Sequence, residues 1–229
     1  MNVEYNFYGN FHEVVKSFDL LSQTISVNPG YNFQKGAFTL TLAFSYIWLH
    51  RKEYMWVGFA KASMNFMFLP NHIGQFSIGY SRREMIKQPI DRNEERDGNI
   101  YSVSPGYFYS FSGGRGMVNL KYEFLKDVTA GRNWENTGHK LDLNLLIPLI
   151  YRVSAMVSGE IFLQHYDHVH TVFDVVRKDK TYFGSVGLIW EVLKGLNLNL
   201  QYSHTTADSN VYVYDYRRNV YNIGVEYIF

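Results

Sequence analysis

The chain contains no cysteine, which excludes a disulfide scaffold and any cysteine-ligated metal site. It also lacks a long hydrophobic run. No stretch approaches the ~20 apolar residues of a membrane-spanning helix, and the most apolar one, residues 141–150, is interrupted by Asp142 and Asn144. Neither sign of charge is in excess: 22 Lys+Arg stand against 21 Asp+Glu. That balance gives no argument for nucleic acid or for an acidic ligand. There is no secretory signal pattern, because Met1 leads at once into the strand-like residues 2–8. An exported form of the chain is therefore expected to be a mature form or a domain of something longer.

What the sequence does have is aromatics and alternation. Aromatic residues make up 17%, with 19 Tyr and 17 Phe. These favour strands, and Tyr and Trp also favour membrane interfaces. Side chains of a strand alternate between faces. Phe38, Leu40, Leu42, Phe44, Tyr46 and Trp48 alternate with Thr39, Thr41, Ala43 and Ser45, and Leu196, Leu198, Leu200 and Tyr202 alternate with Asn197, Asn199, Gln201 and Ser203. The same rhythm runs through residues 118–124 and 141–147. Short turns are predicted at 34–36, 70–72, 113–116, 151–152 and 193–195, and longer polar links at 9–19, 50–56, 86–99, 128–138, 167–180 and 206–218. Five turns interleaved with six links imply twelve antiparallel strands in one domain over residues 1–229. The segment Ser26-Val27-Asn28-Pro29-Gly30-Tyr31 recurs as Ser102-Val103-Ser104-Pro105-Gly106-Tyr107, with the proline expected to face outward, near a bulge.

The expected fold is all-β: a transmembrane antiparallel up-and-down β-barrel of about twelve strands, in the bacterial outer membrane. A soluble sandwich would bury the apolar face of two sheets against each other. Tyr and Trp near strand ends, strands long enough for a tilted crossing, and the need to leave no unpaired edge in lipid favour the barrel. The face opposite the apolar one then lines the lumen, with Glu4, Lys61, Arg83, Lys121, Glu123, Asp142, Glu160, Glu191 and Glu226. Glu4, Glu191 and Glu226 lie near the periplasmic strand ends, as an acidic mouth that favours cations.

No constellation for catalysis emerges. His165, Asp167, His168 and His170 are dense, but no third ligand has diagnostic metal spacing, so they read as a polar loop above an aromatic belt. Ser203 and His204 are neighbours on a strand and face opposite ways, unlike the serine and histidine of outer-membrane phospholipase. The charged run of residues 91–97 reads as a solvated loop tip. The chain is read as a non-enzyme with no cofactor, no metal and no nucleic-acid partner.

The last strand carries a resemblance. Tyr221, Ile223, Val225, Tyr227 and Phe229 share one face against Asn222, Gly224 and Glu226. An aromatic residue closing an alternating strand resembles the C-terminal signature that the barrel-insertion machinery reads in outer-membrane barrels. With Asp208-Ser209-Asn210 and Tyr214-Asp215-Tyr216-Arg217-Arg218-Asn219, this ending resembles the barrel domains that follow tetratricopeptide repeats, including the surface lipoprotein assembly modifier type. That resemblance implies a conduit or membrane anchor for export or surface assembly, with outer-membrane lipids around it and a periplasmic or surface protein as partner. The chain departs from the pattern in having no helical repeat region. It is also similar in length and closing strand to small twelve-stranded channels for acidic oligosaccharides, which implies the alternative of a passive porin for small solutes.

Overall fold

Alternating sequence becomes strand throughout. The computed structural model describes residues 1–11, 13 and 16–227. The strands are β1 (Asn2–Asn10), β2 (Leu20–Asn28), β3 (Gly30–Phe33), β4 (Gly36–Leu49), β5 (Lys52–Leu69), β6 (His72–Met85), β7 (Gly98–Phe111), β8 (Gly116–Thr129), β9 (Asn136–Ile150), β10 (Val153–Val169), β11 (Val176–Leu193), β12 (Leu196–Ser209) and β13 (Tyr216–Tyr227). They form one antiparallel sheet in which each strand pairs with its neighbour in sequence, β3 lying against β4 beside β2. β2 and β3 are one pass broken at Pro29, so the thirteen segments make the twelve passes of an up-and-down barrel wall. Strands such as β5 and β11, with 18 residues each, are far longer than the usual five or six. β1 and β13 are the margins of the sheet, and among the described residues no ladder joins them.

The two proline segments do the same thing. Pairing of β2 and β3 with β4 stops after Val27↔Leu42 and resumes at Gly30↔Thr39, and pairing of β7 with β8 stops after Val103↔Phe124 and resumes at Gly106↔Lys121. The register is unchanged across each gap, so neither proline sits at a bulge. Each removes one donor from the ladder.

The polar face is the inside of the curl. Arg83 of β6 reaches across β7 to Asp127 of β8 at 3.2 Å, and side chains of β5, β6, β8, β9 and β10 meet around one cavity of about 300 Å³. A sheet does that only with this face concave. The apolar face is bare: Phe44, Ile78, Val186 and Leu200 are 42–54% exposed. Among the described residues the buried apolar side chains are Tyr166, Ala207 and Val211, and all three lie at the long-loop end. A sandwich would have a core between sheets. This molecule has an apolar outer belt instead, far larger than a soluble monomer exposes.

One connection departs from expectation. Residues 50–56 are not a long link, since β4 and β5 join through His50 and Arg51 alone, with φ of 50° and 59°. Two successive positive φ values make a turn whose twist matches the flanking strands. The charges of residues 51–53 that suggested a loop sit on the turn and on the exposed start of β5.

Candidate functional site: the looped end and the inner wall

Opposite the short turns, the links 86–97, 130–135, 170–175 and 210–215 are knitted into one unit. Asn133, 2% exposed, donates from Nδ2 to Glu94 (2.7 Å) and to Thr171 Oγ1 (2.8 Å), and its Oδ1 accepts from the Thr171 amide (3.1 Å). Trp134 Nε1 donates to the other Glu94 oxygen at 2.9 Å. The Arg96 guanidinium lies 3.7 Å from the Trp134 ring centroid. Arg177 of β11 holds Asp179 through Nε and Nη2, at 2.5–3.0 Å, and its guanidinium lies 3.2 Å from the Tyr214 ring centre and 4.5 Å from that of Tyr166. His170 packs on Phe173, and its Nε2 is 3.4 Å from Tyr214 Oη.

This arrangement is costly unless complete. Arg177 and Asp179 are both buried. A buried charge is tolerated when paired and hydrogen-bonded, and aromatic faces supply further attraction to a guanidinium. Arg96 and Trp134 then form one side of the 300 Å³ cavity, with Tyr54, Met55, Arg83 and Asp127 on the others. The looped end is therefore knitted together, around that cavity, by side chains from four loops and the strand tops beneath them.

Further down, the charges pair along the wall rather than across the bore. Lys121 Nζ is 2.6 Å from Glu123, which also accepts from Ser104 Oγ at 3.1 Å. Lys140 lies 4.0 Å from Asp142 and 3.8 Å from Glu160. Arg83 bridges Asp127 and the Arg96 carbonyl. Lys61 shares a small cavity with Lys121, Ser63, Ser77 and Ser104, and no carboxylate lies within ion-pairing distance of it among the described residues. Of the three residues expected at an acidic mouth, Glu191 and Glu226 flank Asn197 in register, and Asn197 donates to Glu226 at 3.3 Å. Glu4 stands apart on β1, accepting from Asn2.

The histidine-rich segment divides among three surroundings. His165 faces outward on β10 opposite Lys178. Asp167 pairs with Lys126, and His168 with Glu135 at 3.0 Å. His170 is buried in the loop unit. Tyr221, Ile223, Val225 and Tyr227 share the outer face of β13, whereas Phe229 lies outside the described residues. Residues 91–97 are only in part a solvated tip: Glu94 and Arg96 belong to the loop unit, and Asp97 accepts from the Met85 amide at 2.6 Å. The residues that sequence reasoning missed are Trp134, Arg177 and Asp179. Alternation places Arg177 and Asp179 on the inner face together, which is the one signal that marks them.

A model of the surface lipoprotein assembly modifier family matches residues 1–229. No curated protein matches the chain. Among solved structures, a KdgM porin aligns at 13% identity with a TM-score of 0.44, over 99% of this chain and 96% of that one. With the family match spanning every residue of an up-and-down strand wall, the chain belongs to the surface lipoprotein assembly modifier family.

Proposed function

We propose that the protein is an outer-membrane barrel that serves as a conduit or anchor in surface assembly, working with a protein partner rather than as a free pore. The family's name speaks of surface lipoproteins, and a lipoprotein is the partner class adopted here. The observation that carries the reading is the interlocked looped end. Four loops and Arg177 interlock at the end where a porin has its aqueous mouth. The polar inner face lines the lumen, and the outer face of β13 acts as the insertion signature. Among the described residues no nucleophile, base and oxyanion grouping accompanies this arrangement, and a non-enzymatic role is part of the proposal.

A pull-down from detergent-solubilised membranes, paired with planar-bilayer recording, tests this. A stable lipoprotein partner with no steady conductance is the expected result. A steady open channel with no partner sinks the conduit reading in favour of a passive porin. That second reading draws on the hydroxyl- and amide-rich inner wall around Lys61 and Lys121, which offers polar lining to a small solute.

A further inference from the structure

Strands β8 to β11 carry outward-facing charge at their looped ends, just beyond the apolar belt. Two registered rows cross them. The upper row is Lys126, Thr137, His165 and Lys178, and the lower row is Phe124, His139, Leu163 and Lys180. The histidines and lysines of β9 to β11 surround a depression of about 170 Å³ with Leu163 at its floor.

Their neighbours are already committed. Arg82 on the outer face of β6 is held by Glu84 at 2.5 Å. Lys126 is held by Asp167 and by Glu135. His139 Nδ1 is 2.7 Å from the Tyr122 hydroxyl. Lys178 and Lys180 are exposed, and among the described residues neither has a carboxylate within 4 Å. Asp208 stands opposite Lys180 in register without an ion pair. Arg82 and Lys126 are thus paired, whereas on β10 and β11 two lysines and His165 stand free on one patch, at the level where the belt gives way to Lys, His and Thr.

We infer that this patch binds the phosphate of a membrane lipid headgroup, with Lys178, Lys180 and His165 around the phosphate and Leu163 against the first part of an acyl chain. It rests on the reading of the protein as an outer-membrane barrel with its loops outward. Cations at the edge of an apolar belt meet headgroups, not solvent alone. Two free lysines there correspond to a roughly thirtyfold preference for a phosphorylated lipid over its uncharged counterpart.

The test compares the wild type with the double variant Lys178→Glu/Lys180→Glu in a zwitterionic detergent. Binding of bisphosphorylated lipid A and of its dephosphorylated form is read by native mass spectrometry, and heat-modifiable gel migration reports folding. The expected result is a strong preference for the phosphorylated lipid in the wild type. Lys35→Glu, on the short-turn side, keeps that preference, and the folded double variant loses it. Equal binding of both lipids, an undiminished preference in the double variant, or displacement by millimolar inorganic phosphate overturns the site while leaving the barrel intact. Should the double variant not fold, Lys178→Gln/Lys180→Gln carries the same comparison. A protein that stays folded in plain buffer without amphiphile removes the membrane reading itself, and the site with it.

Discussion

The two ends of the wall are built by opposite means. At the looped end, buried charge and aromatic rings are spent on a single arrangement: Arg177 on Asp179 and Tyr214, Arg96 on Trp134, Asn133 between Glu94 and Thr171. At the short-turn end the strands meet in tight hairpins, and the inner face carries serine, asparagine and glutamine around small cavities. Lysine and glutamate pair with strand neighbours there, with part of each side chain still in water. An interlocked network specifies one geometry because every member needs the others. A solvated wall of hydroxyls and amides tolerates change. The looped end is where conformation is fixed, and the lower inner wall is where it has room to vary.

This contrast is open to attack, most strongly at Arg177. Its replacement by Ala leaves Asp179 buried and unpaired, and losses of about 3–5 kcal/mol attend such broken pairs. The expected outcome is loss of protection of loops 170–175 and 210–215 from protease, together with the appearance of conductance in planar bilayers. A variant with loops as resistant as the wild type would show that the network is not what holds them. Trp134→Ala comes next. It removes the ring under Arg96 and the donor to Glu94, for a combined cost of about 1–3 kcal/mol, and hydrogen exchange should rise in residues 91–97 ahead of the rest. The smallest effect is expected at the lower wall. Lys121→Met breaks a partly solvated pair whose contribution is about 0–1 kcal/mol. Stability in a urea titration should barely move, while the ion selectivity of any conducting variant shifts toward cations as a lumen cation is lost. A destabilisation as large as that of Arg177→Ala would erase the distinction between the ends.

Much of the fold was legible because strands declare themselves by period two. Residues 38–48 and 196–202 alternate so regularly that face, length and pairing follow. The short turns at 70–72 and 193–195 carry Asn71 and Gly195 where the chain needs positive φ. The turn at 50–51 was missed because His and Arg rarely take that conformation and a run of charge resembles solvent. The loop unit was missed for a different reason. Asn133 bonds to Glu94 across 39 positions and to Thr171 across 38, and no local pattern encodes such meetings. Which of the charges expected in the lumen pair with one another depends on register, and that is set by the assembled sheet. Lys121 with Glu123 lies within one strand, yet Lys140 with Glu160 needs the alignment of β9 on β10.

The two-residue turn at His50 and Arg51 makes the outer rim uneven. Between β4 and β5 the wall simply stops, whereas from β6 onward it is topped by folded chain. A large body laid over this end would rest on the high side and lean toward the low one, meeting the tops of β4 and β5 without passing through loops. Lopsidedness of that kind gives an otherwise round object a direction of approach.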